Sequence, residues 1–341
     1  MKILVDAFGG DNAPKEIIKG AVEALKLKSG FEVVLFGDQE TIKAELVNHE
    51  YDASRLFIEH ASEIVTNDDN PTMIVRTKKN SSLVKGIVSL GIDPDAAALV
   101  SAGSTGAVLA SAVLLLKRIK GVSRPALVPV LPTQTGGSVA LIDCGANADC
   151  TKAHLVQFAY MGSAFAKTVL GSMDPSIGLL SNGVENKKGN ELNRETFPLL
   201  QEAQGLNFKG NLEARDILSG NYDVVVCDGF SGNIALKASE GVAVMLFDLI
   251  KQNILASGLR AKIGYLLLKP VFKKIAKTMD YNNNGGALLL GLQKTIIKAH
   301  GSSTAKSIAV AIIQAYKVAS AELNEKIEKL LADPVDEVEH V

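Results

Sequence analysis

Short apolar runs that stop abruptly at small polar residues recur along the chain. They are KILVDAFGG at the start, EVVLFGD from Glu32, AALVSAG from Ala97, VALIDCGAN from Val139, IGLLSNG from Ile177 and YDVVVCDGF from Tyr222. A run of this length with no alternating polar face predicts a strand covered on both sides. Between the runs, helical spacing predicts helices over Pro14–Leu27, Met73–Leu90, Thr105–Arg118 and Thr151–Leu170. Strand alternating with helix predicts an α/β fold of three layers, α/β/α, around a mainly parallel sheet. Neither a repeat nor a low-complexity linker divides residues 1–341, so one large domain is expected.

In an open α/β sheet, ligands bind where the strand runs end, and this chain gathers its Gly, Asp, Ser and Asn residues there. Ordinary βα turns use the same residue types, so one such turn decides nothing. The same polar character at turn after turn points to a site.

Composition narrows the ligand. With 341 residues, 47% of them hydrophobic, the chain can bury a large core. Lys and Arg number 36 against 37 Asp and Glu, and the resulting net charge of −1 provides no global field for nucleic acid. Recognition of an anion must be local. The three cysteines, Cys144, Cys150 and Cys227, are odd in number and lack metal-ligand spacing, so neither a disulfide framework nor a metal site is expected. The apolar run Ile3–Val5 is too short for a signal-peptide core. Ala107–Leu116, interrupted by Ser111, falls short of the roughly 20 residues a bilayer requires. A cytoplasmic protein is expected.

Two turns have the makings of an anion site. GGDNAP places Gly9 and Gly10 where backbone can pass close to a ligand, then Asp11 or Asn12 as a cap, then Pro14 as a first helical residue. SAGSTGA places Gly103, Ser104, Thr105 and Gly106 before a helix whose free N–H groups can hold phosphate; capping without a ligand is the alternative. NGVENKKG puts Asn182, Glu185, Lys187 and Lys188 in a glycine-bounded loop. GFSGN ends in Asn233, an amide able to donate to an oxyanion, and His300 in AHGSS has the most site-like surroundings of the five histidines. P-loop, G-x-G-x-x-G, G-x-S-x-G and H-E-x-x-H signatures are all missing, which removes support from nucleotide, serine-hydrolase and zinc-protease chemistry.

Taken together, DAFGGDNAP, SAGSTGA, DCGAN from Asp143, NGVENKKG, GFSGN and AHGSS resemble the phosphate acyltransferase (PlsX) family in order and spacing, over nearly the whole chain. The resemblance implies a fold like the isocitrate and isopropylmalate dehydrogenases and the phosphate acetyltransferases, a homodimer, and no cofactor. It also implies transfer of a long-chain fatty acyl group from acyl carrier protein to inorganic phosphate, giving acyl phosphate for phospholipid synthesis. A downstream membrane glycerol-3-phosphate acyltransferase would take that product.

Phosphate is already a nucleophile and a thiol of pKa about 8.5 is a fair leaving group, so the reaction needs positioning, charge neutralisation and an oxyanion donor more than a strong base. The catalytic residues that fit are Lys188 to neutralise the phosphate, Asn233 to polarise the carbonyl and His300 to protonate the departing thiolate. Gly9, Gly10, Asp11, Gly103, Ser104, Thr105, Gly106, Asp143, Asn147, Asn182 and Glu185 fit substrate or phosphate binding. Cys144 or Cys227 as a covalent acyl acceptor is the competing mechanism.

The segment Lys251–Lys277 carries seven cations and no Asp or Glu. Ile263, Leu267, Val271 and Ile275 recur every four residues beside a row of Lys269, Lys273 and Lys277, which predicts a basic amphipathic helical arm over 247–281, broken into two helices at Pro270. Such an arm suits an anionic membrane surface, an acidic carrier protein or a dimer interface; for this family, reversible membrane association is implied. Ala321–Val341 is Glu-rich and is expected to end in a frayed tail. Two other readings stay open: an NAD- and metal-dependent decarboxylating dehydrogenase using Asp143, Asp149 and Asp228, and a non-enzymatic peripheral membrane scaffold.

Overall fold

The structure, a computed structural model, describes residues 1–279 and 285–332. Its elements are β1 (Lys2–Asp6), α1 (Lys15–Leu27), β2 (Glu32–Gly37), α2 (Gln39–Leu46), β3 (Leu56–His60), α3 (Ile74–Thr77), α4 (Ser82–Ile92), β4 (Ala96–Ser101) and α5 (Thr105–Leu116). The middle of the chain gives β5 (Ala126–Val128), β6 (Val130–Pro132), β7 (Ser138–Ile142), α6 (Lys152–Phe165), β8 (Ser176–Ser181), α7 (Glu191–Glu202), β9 (Asn207–Glu213) and β10 (Val224–Val226). Then follow α8 (Gly229–Ala256), α9 (Leu259–Met279), β11 (Ala287–Leu290), β12 (Thr295–Lys298), α10 (Ala305–Ser320) and α11 (Leu323–Ala332).

The α/β class is as expected, but the strands form two sheets where one was expected. The first runs β3-β2-β1-β4-β12-β11-β5 and the second β6-β7-β10-β8-β9. In the first, β3, β2, β1, β4 and β12 are parallel, and β11 is antiparallel to both its neighbours. In the second, β7, β10, β8 and β9 are parallel and β6 is an antiparallel edge. The chain crosses between sheets within a few residues, from β5 through Pro129 to β6. An apolar run states that both faces are covered; it does not state which strand lies beside it.

Double coverage is visible residue by residue. Ile3 and Val5 enter a core shared by both sheets, whereas Leu4 between them enters a second core under α4 and α5. Ala140 and Ile142 likewise face the shared core, and Val139 and Leu141 face a third. The shared core also takes Phe158 and Phe165 of α6 and Ile308 and Ile312 of α10, all essentially inaccessible to water. This core is what packs the two sheets together.

Three expected boundaries move. Met73–Leu90 is two helices, because the Ser81 hydroxyl accepts the Val84 N–H and starts α4 afresh. Pro270 lies inside continuous α9; the break falls at Ser257–Gly258, where Ser257 adopts extended backbone (φ −82°, ψ 163°). α9 carries the missing proline donor rather than ending there. The expected frayed tail begins instead with helix α11; residues 333–341, like 280 and 281 of the expected arm, lie outside the described residues.

At the junction of the sheets sits Asp143, fully buried, at the end of β7. Its Oδ1 accepts the N–H groups of Leu127 in β5 (2.8 Å) and Ala146 (3.1 Å), and its Oδ2 accepts the Asn147 N–H (2.7 Å) and side-chain amide (2.9 Å). Burial pushes this carboxyl above its usual range while the four donors pull it back. Asp143→Ala would strand three backbone donors and is expected to destabilise the protein by at least about 3 kcal/mol, with Asp143→Asn, which keeps one acceptor, intermediate. Urea unfolding of the two variants checks both the size and the order.

Candidate active site

Strands β1, β4 and β12 are adjacent and parallel, so the turns that follow them emerge side by side. Ser101, the last residue of β4, is in register with Lys298, the last of β12. The turns are locked together by short contacts. A Cβ on Gly9 would lie 2.8 Å from the Gly103 nitrogen, so only glycine lets these backbones meet. Gly10 has φ +99°, a left-handed conformation that glycine adopts without strain. The Asp11 N–H donates to the Gly301 carbonyl (2.8 Å), and the Asn12 amide donates to the carbonyls of Ser302 (3.1 Å) and Ser303 (3.2 Å). Asn12 thus ties two turns together and does not cap α1, whose cap position is held by Pro14.

Beneath these turns Asp6 is buried and its Oδ2 accepts the Ser101 hydroxyl (2.7 Å), while the Gly103 N–H donates to the same hydroxyl oxygen (3.1 Å). Desolvation raises the Asp6 carboxyl above its ordinary value. Beside it lies the Lys298 ammonium, donating to the carbonyl oxygens of Ala299 and Ala102. Burial lowers Lys298 to about 8, against the opposing pull of Asp6 and Asp11. Ser104 stands at the cap position of α5, yet its side chain makes no capping bond, so the first N–H groups of α5 have no side-chain partner there. The result is a concave site with a buried cation and an uncapped helix start, both favourable to an anion.

The second sheet supplies the opposite wall. Its turn 143–147 is pressed against the start of α8: a Cβ on Gly232 would sit 2.0 Å from the Asp143 carbonyl oxygen. Asp228 caps α8 by accepting the Ser231 N–H and hydroxyl, both at 2.8 Å. Asn233, one turn further, lies over Gly145, and Ala146 lines a common pocket with Thr105, Leu109 and Lys298. Lys237 on α8 is near enough to depress both Lys298 and His300.

The structure therefore gathers Gly9, Gly10, Asp11, Gly103, Ser104, Thr105 and Gly106 with His300 in one place, and brings Asn147 and Asn233 to its rim. Asp143 is a correction. Its carboxylate is buried in the turn it organises and is not presented to a ligand. The 182–189 loop follows β8, one strand beyond β10. Its hydrogen bonds stay in the second sheet: Gly189 to Asn182 (2.8 Å), and Asn211 to the Glu185 carbonyl (2.9 Å). Lys188 is exposed there, its stem against Gly183.

His300 also differs from expectation. Burial, then the Lys237 charge, hold it below the usual imidazole value, so it is neutral at pH 7. The Ser302 N–H donates to Nδ1 (3.2 Å), which assigns the ring proton to Nε2. It is a neutral donor and not an imidazolium acid. Cys144 and Cys227 are buried and their thiols are pushed far up by desolvation; Cys150, half-buried, is raised to about 12. None is prepared to act as a thiolate nucleophile.

The residues missed were Asp6, Ser101, Lys237 and Lys298. Lys298 carries a readable signal, an ammonium directly ending an apolar run, but at four residues β12 is too short for that run to announce a strand.

Residues 1–326 match the sequence profile described as fatty acid synthesis protein. The chain is 50% identical to a phosphate acyltransferase of Desulfitobacterium hafniense (strain Y51) over 332 residues, covering 97% of each. It is 47% identical to one from Clostridium novyi (strain NT) over 315 residues, covering 92% of this chain and 94% of that one. The chain belongs to the phosphate acyltransferase (PlsX) family. It is thus an acyltransferase, and the dehydrogenase and scaffold readings fall. In fold, this family member resembles a phosphotransacetylase from Streptococcus pyogenes, with a TM-score of 0.61 at 21% identity over 94% of each chain.

A lysine held near 8 in the fold, below its ordinary 10.5, is charged at pH 7 in both states and pays desolvation only when folded. That penalty fades as pH rises from about 8 towards 10.5, where the unfolded chain binds more protons. Lys298→Met is therefore expected to match or exceed wild-type thermal stability at pH 7, with the gap narrowing above pH 8, while turnover is lost. Melting curves at both pH values check it; a fall of several degrees at pH 7 would show that the ammonium's contacts hold the turn.

Proposed function

We propose that this enzyme transfers a long-chain fatty acyl group from the thioester of acyl carrier protein to inorganic phosphate, yielding acyl phosphate for phosphatidic acid synthesis. The supporting observation is the Lys298 ammonium, buried beside the uncapped start of α5 and facing Ala146 of the opposite sheet across one pocket. Phosphate bound there by the Gly10 and Ser104/Thr105 turns favours the charged form of Lys298, so cation and anion arrive together. A phosphate oxygen attacks the carbonyl carbon; the new C–O bond forms, the C–S bond breaks, and the electron pair leaves on sulfur.

Asn233 donates to the oxyanion and His300 contributes its neutral Nε2–H. Lys298, kept charged by the bound phosphate, is an ammonium placed to donate a proton to the departing thiolate. Lys188 brings a second cation from the 182–189 loop, which Asn182 and Glu185 shape. The inert cysteines support direct attack over an acyl-enzyme.

Among the described residues no helix is long and apolar enough to cross a membrane. In α9, Ile263, Leu267, Val271 and Ile275 are all about half exposed or more, Leu267 at 75%, in a row beside Lys269 and Lys273. Lys277 lies in the same helix, its side chain outside the described set. Tyr265 and Phe272 of the same helix are half-buried and pair with each other at 5.7 Å. An exposed apolar row flanked by cations supports reversible binding of a cytoplasmic homodimer to anionic membrane, where a glycerol-3-phosphate acyltransferase would consume the product. Residues 1–341 would act as one α/β domain with this arm.

Enzyme supplied with acyl carrier protein thioester and radiolabelled phosphate should form labelled acyl phosphate; no label would refute the reaction. Lys188→Ala should lower turnover by at least about a hundredfold with an unchanged melting curve, as expected for a lost charge-assisted contact to the transition state. Leu267→Glu with Val271→Glu should abolish flotation with anionic liposomes while leaving turnover in solution; unchanged flotation removes the arm from the membrane reading.

A further inference from the structure

A cleft of about 680 Å³ runs outward from the catalytic pocket. It shares Leu109 and Ala146 with that pocket, and Gly106 marks its inner end. One side of α5 forms its floor, with Leu109, Val113 and Leu114 along it. Its margin carries three guanidinium groups, Arg76, Arg118 and Arg124, all exposed. Arg118 lies two residues past the end of α5 and donates to the Ser123 carbonyl, next to Arg124. Arg76 comes from α3 on the other wall. No ion pair among the described residues engages any of the three.

The twelve residues of α5 place its far end about 18 Å from the reaction centre, at 1.5 Å per residue. The floor is apolar and the margin is cationic, with Arg118 just past the far end of α5 and Arg124 between Ser123 and Pro125, whose carbonyl accepts from Asn147. Asn147 lines the wall with its NH2 already engaged by Pro125 and Asp143, leaving the amide oxygen as an acceptor. An acyl chain ending in a methyl group has no use for three arginines. An amphipathic arm carrying a thioester at one end, amides along its length and a phosphodiester at the other matches every feature.

We infer that this cleft holds the phosphopantetheine arm of the acyl carrier, with the phosphodiester on Arg76, Arg118 and Arg124 and the thioester at Ala146 and Thr105. This rests on the carrier-protein reading above and assigns its donor a place. Arginine suits the task because its planar fork can grip a phosphate with two parallel bonds. The attacking phosphate is a separate anion, held by the Gly10 and Ser104/Thr105 turns, and the two must respond differently to substitution.

The test uses the full chain and the triple variant Arg76→Gln, Arg118→Gln, Arg124→Gln. Binding is measured by fluorescence anisotropy to carrier protein with and without its arm, and turnover with carrier-bound acyl thioester against acyl-N-acetylcysteamine, which lacks the phosphodiester. Wild type should prefer the arm-bearing carrier by at least about tenfold, and the variant should lose that preference, as expected for lost charge-assisted hydrogen bonds. KM for carrier thioester should rise to match, with KM for inorganic phosphate and kcat/KM for acyl-N-acetylcysteamine unchanged. Unchanged arm preference, or an equal loss with acyl-N-acetylcysteamine, overturns the assignment; so does a raised KM for inorganic phosphate.

As a second variant, Val113→Trp fills the floor and should weaken the carrier equally for short and long acyl chains. A loss that grows with chain length would make the cleft an acyl pocket instead. Absence of wild-type turnover with any acyl thioester would refute the reaction while the binding comparison still decides the cleft.

Discussion

The site depends on one buried carboxylate. Asp143 belongs to the second sheet and grips the Leu127 N–H of the first, so the two sheets meet with a fixed offset. The same carboxylate folds the 145–147 turn into the position from which Ala146 faces Lys298 and Thr105. A charged group in such a place is tolerated because four donors surround it; with fewer, burial would neutralise it. The fit is reinforced at Gly232 and Gly229, where α8 starts in contact with the Asp143–Asn147 turn and no side chain could intervene. Two walls from different sheets are thereby held across one pocket, which is the preorganisation that an attack by bound phosphate requires.

Electrostatics within the pocket act over short range. The chain as a whole is nearly neutral, yet Lys298, Lys237 and the start of α5 surround one point, with Asp6 and Asp11 as counter-charges. The lysine is held partly against its preference, and an anionic substrate relieves it. The thiols occupy the opposite situation. Cys144 and Cys227 sit in a low-polarity core near carboxylates, which stabilises the neutral form and makes them packing groups. The same sheet end thus carries one group tuned towards chemistry and others tuned away from it.

The parallel strands β1, β2, β4, β7, β8 and β10 were legible because each is covered on both faces, which leaves an uninterrupted apolar run. The short or marginal strands were not: β3 alternates little and is partly exposed, β5 and β6 are three residues each, and β11 and β12 flank a turn without a strong signal. The glycine turns at Gly9–Gly10 and Gly103–Gly106 were legible as backbone that must pass close to something. What they pass close to was partly each other, a fact carried by the Gly9–Gly103 approach and invisible in either segment alone. Asp143 and Asn12 show the limit most clearly, since a polar residue at a strand end serves a ligand and a neighbouring turn with the same chemistry.

The sequence by itself determined the fold class, the strand ends as the place of chemistry, the family, and a cationic apolar arm. These follow from local pattern, since periodicity, turn residues and charge are properties of neighbours along the chain. Tertiary structure alone decided that the strands divide into two sheets and that Lys298 is the buried cation. It also decided that His300 is neutral and that Asp143 holds the walls rather than the substrate. Each of these turns on desolvation or on a partner far away in sequence. Lys298 owes its low pKa to burial among elements nearly the length of the chain apart, and the Asp143–Leu127 bond exists only once two sheets have met.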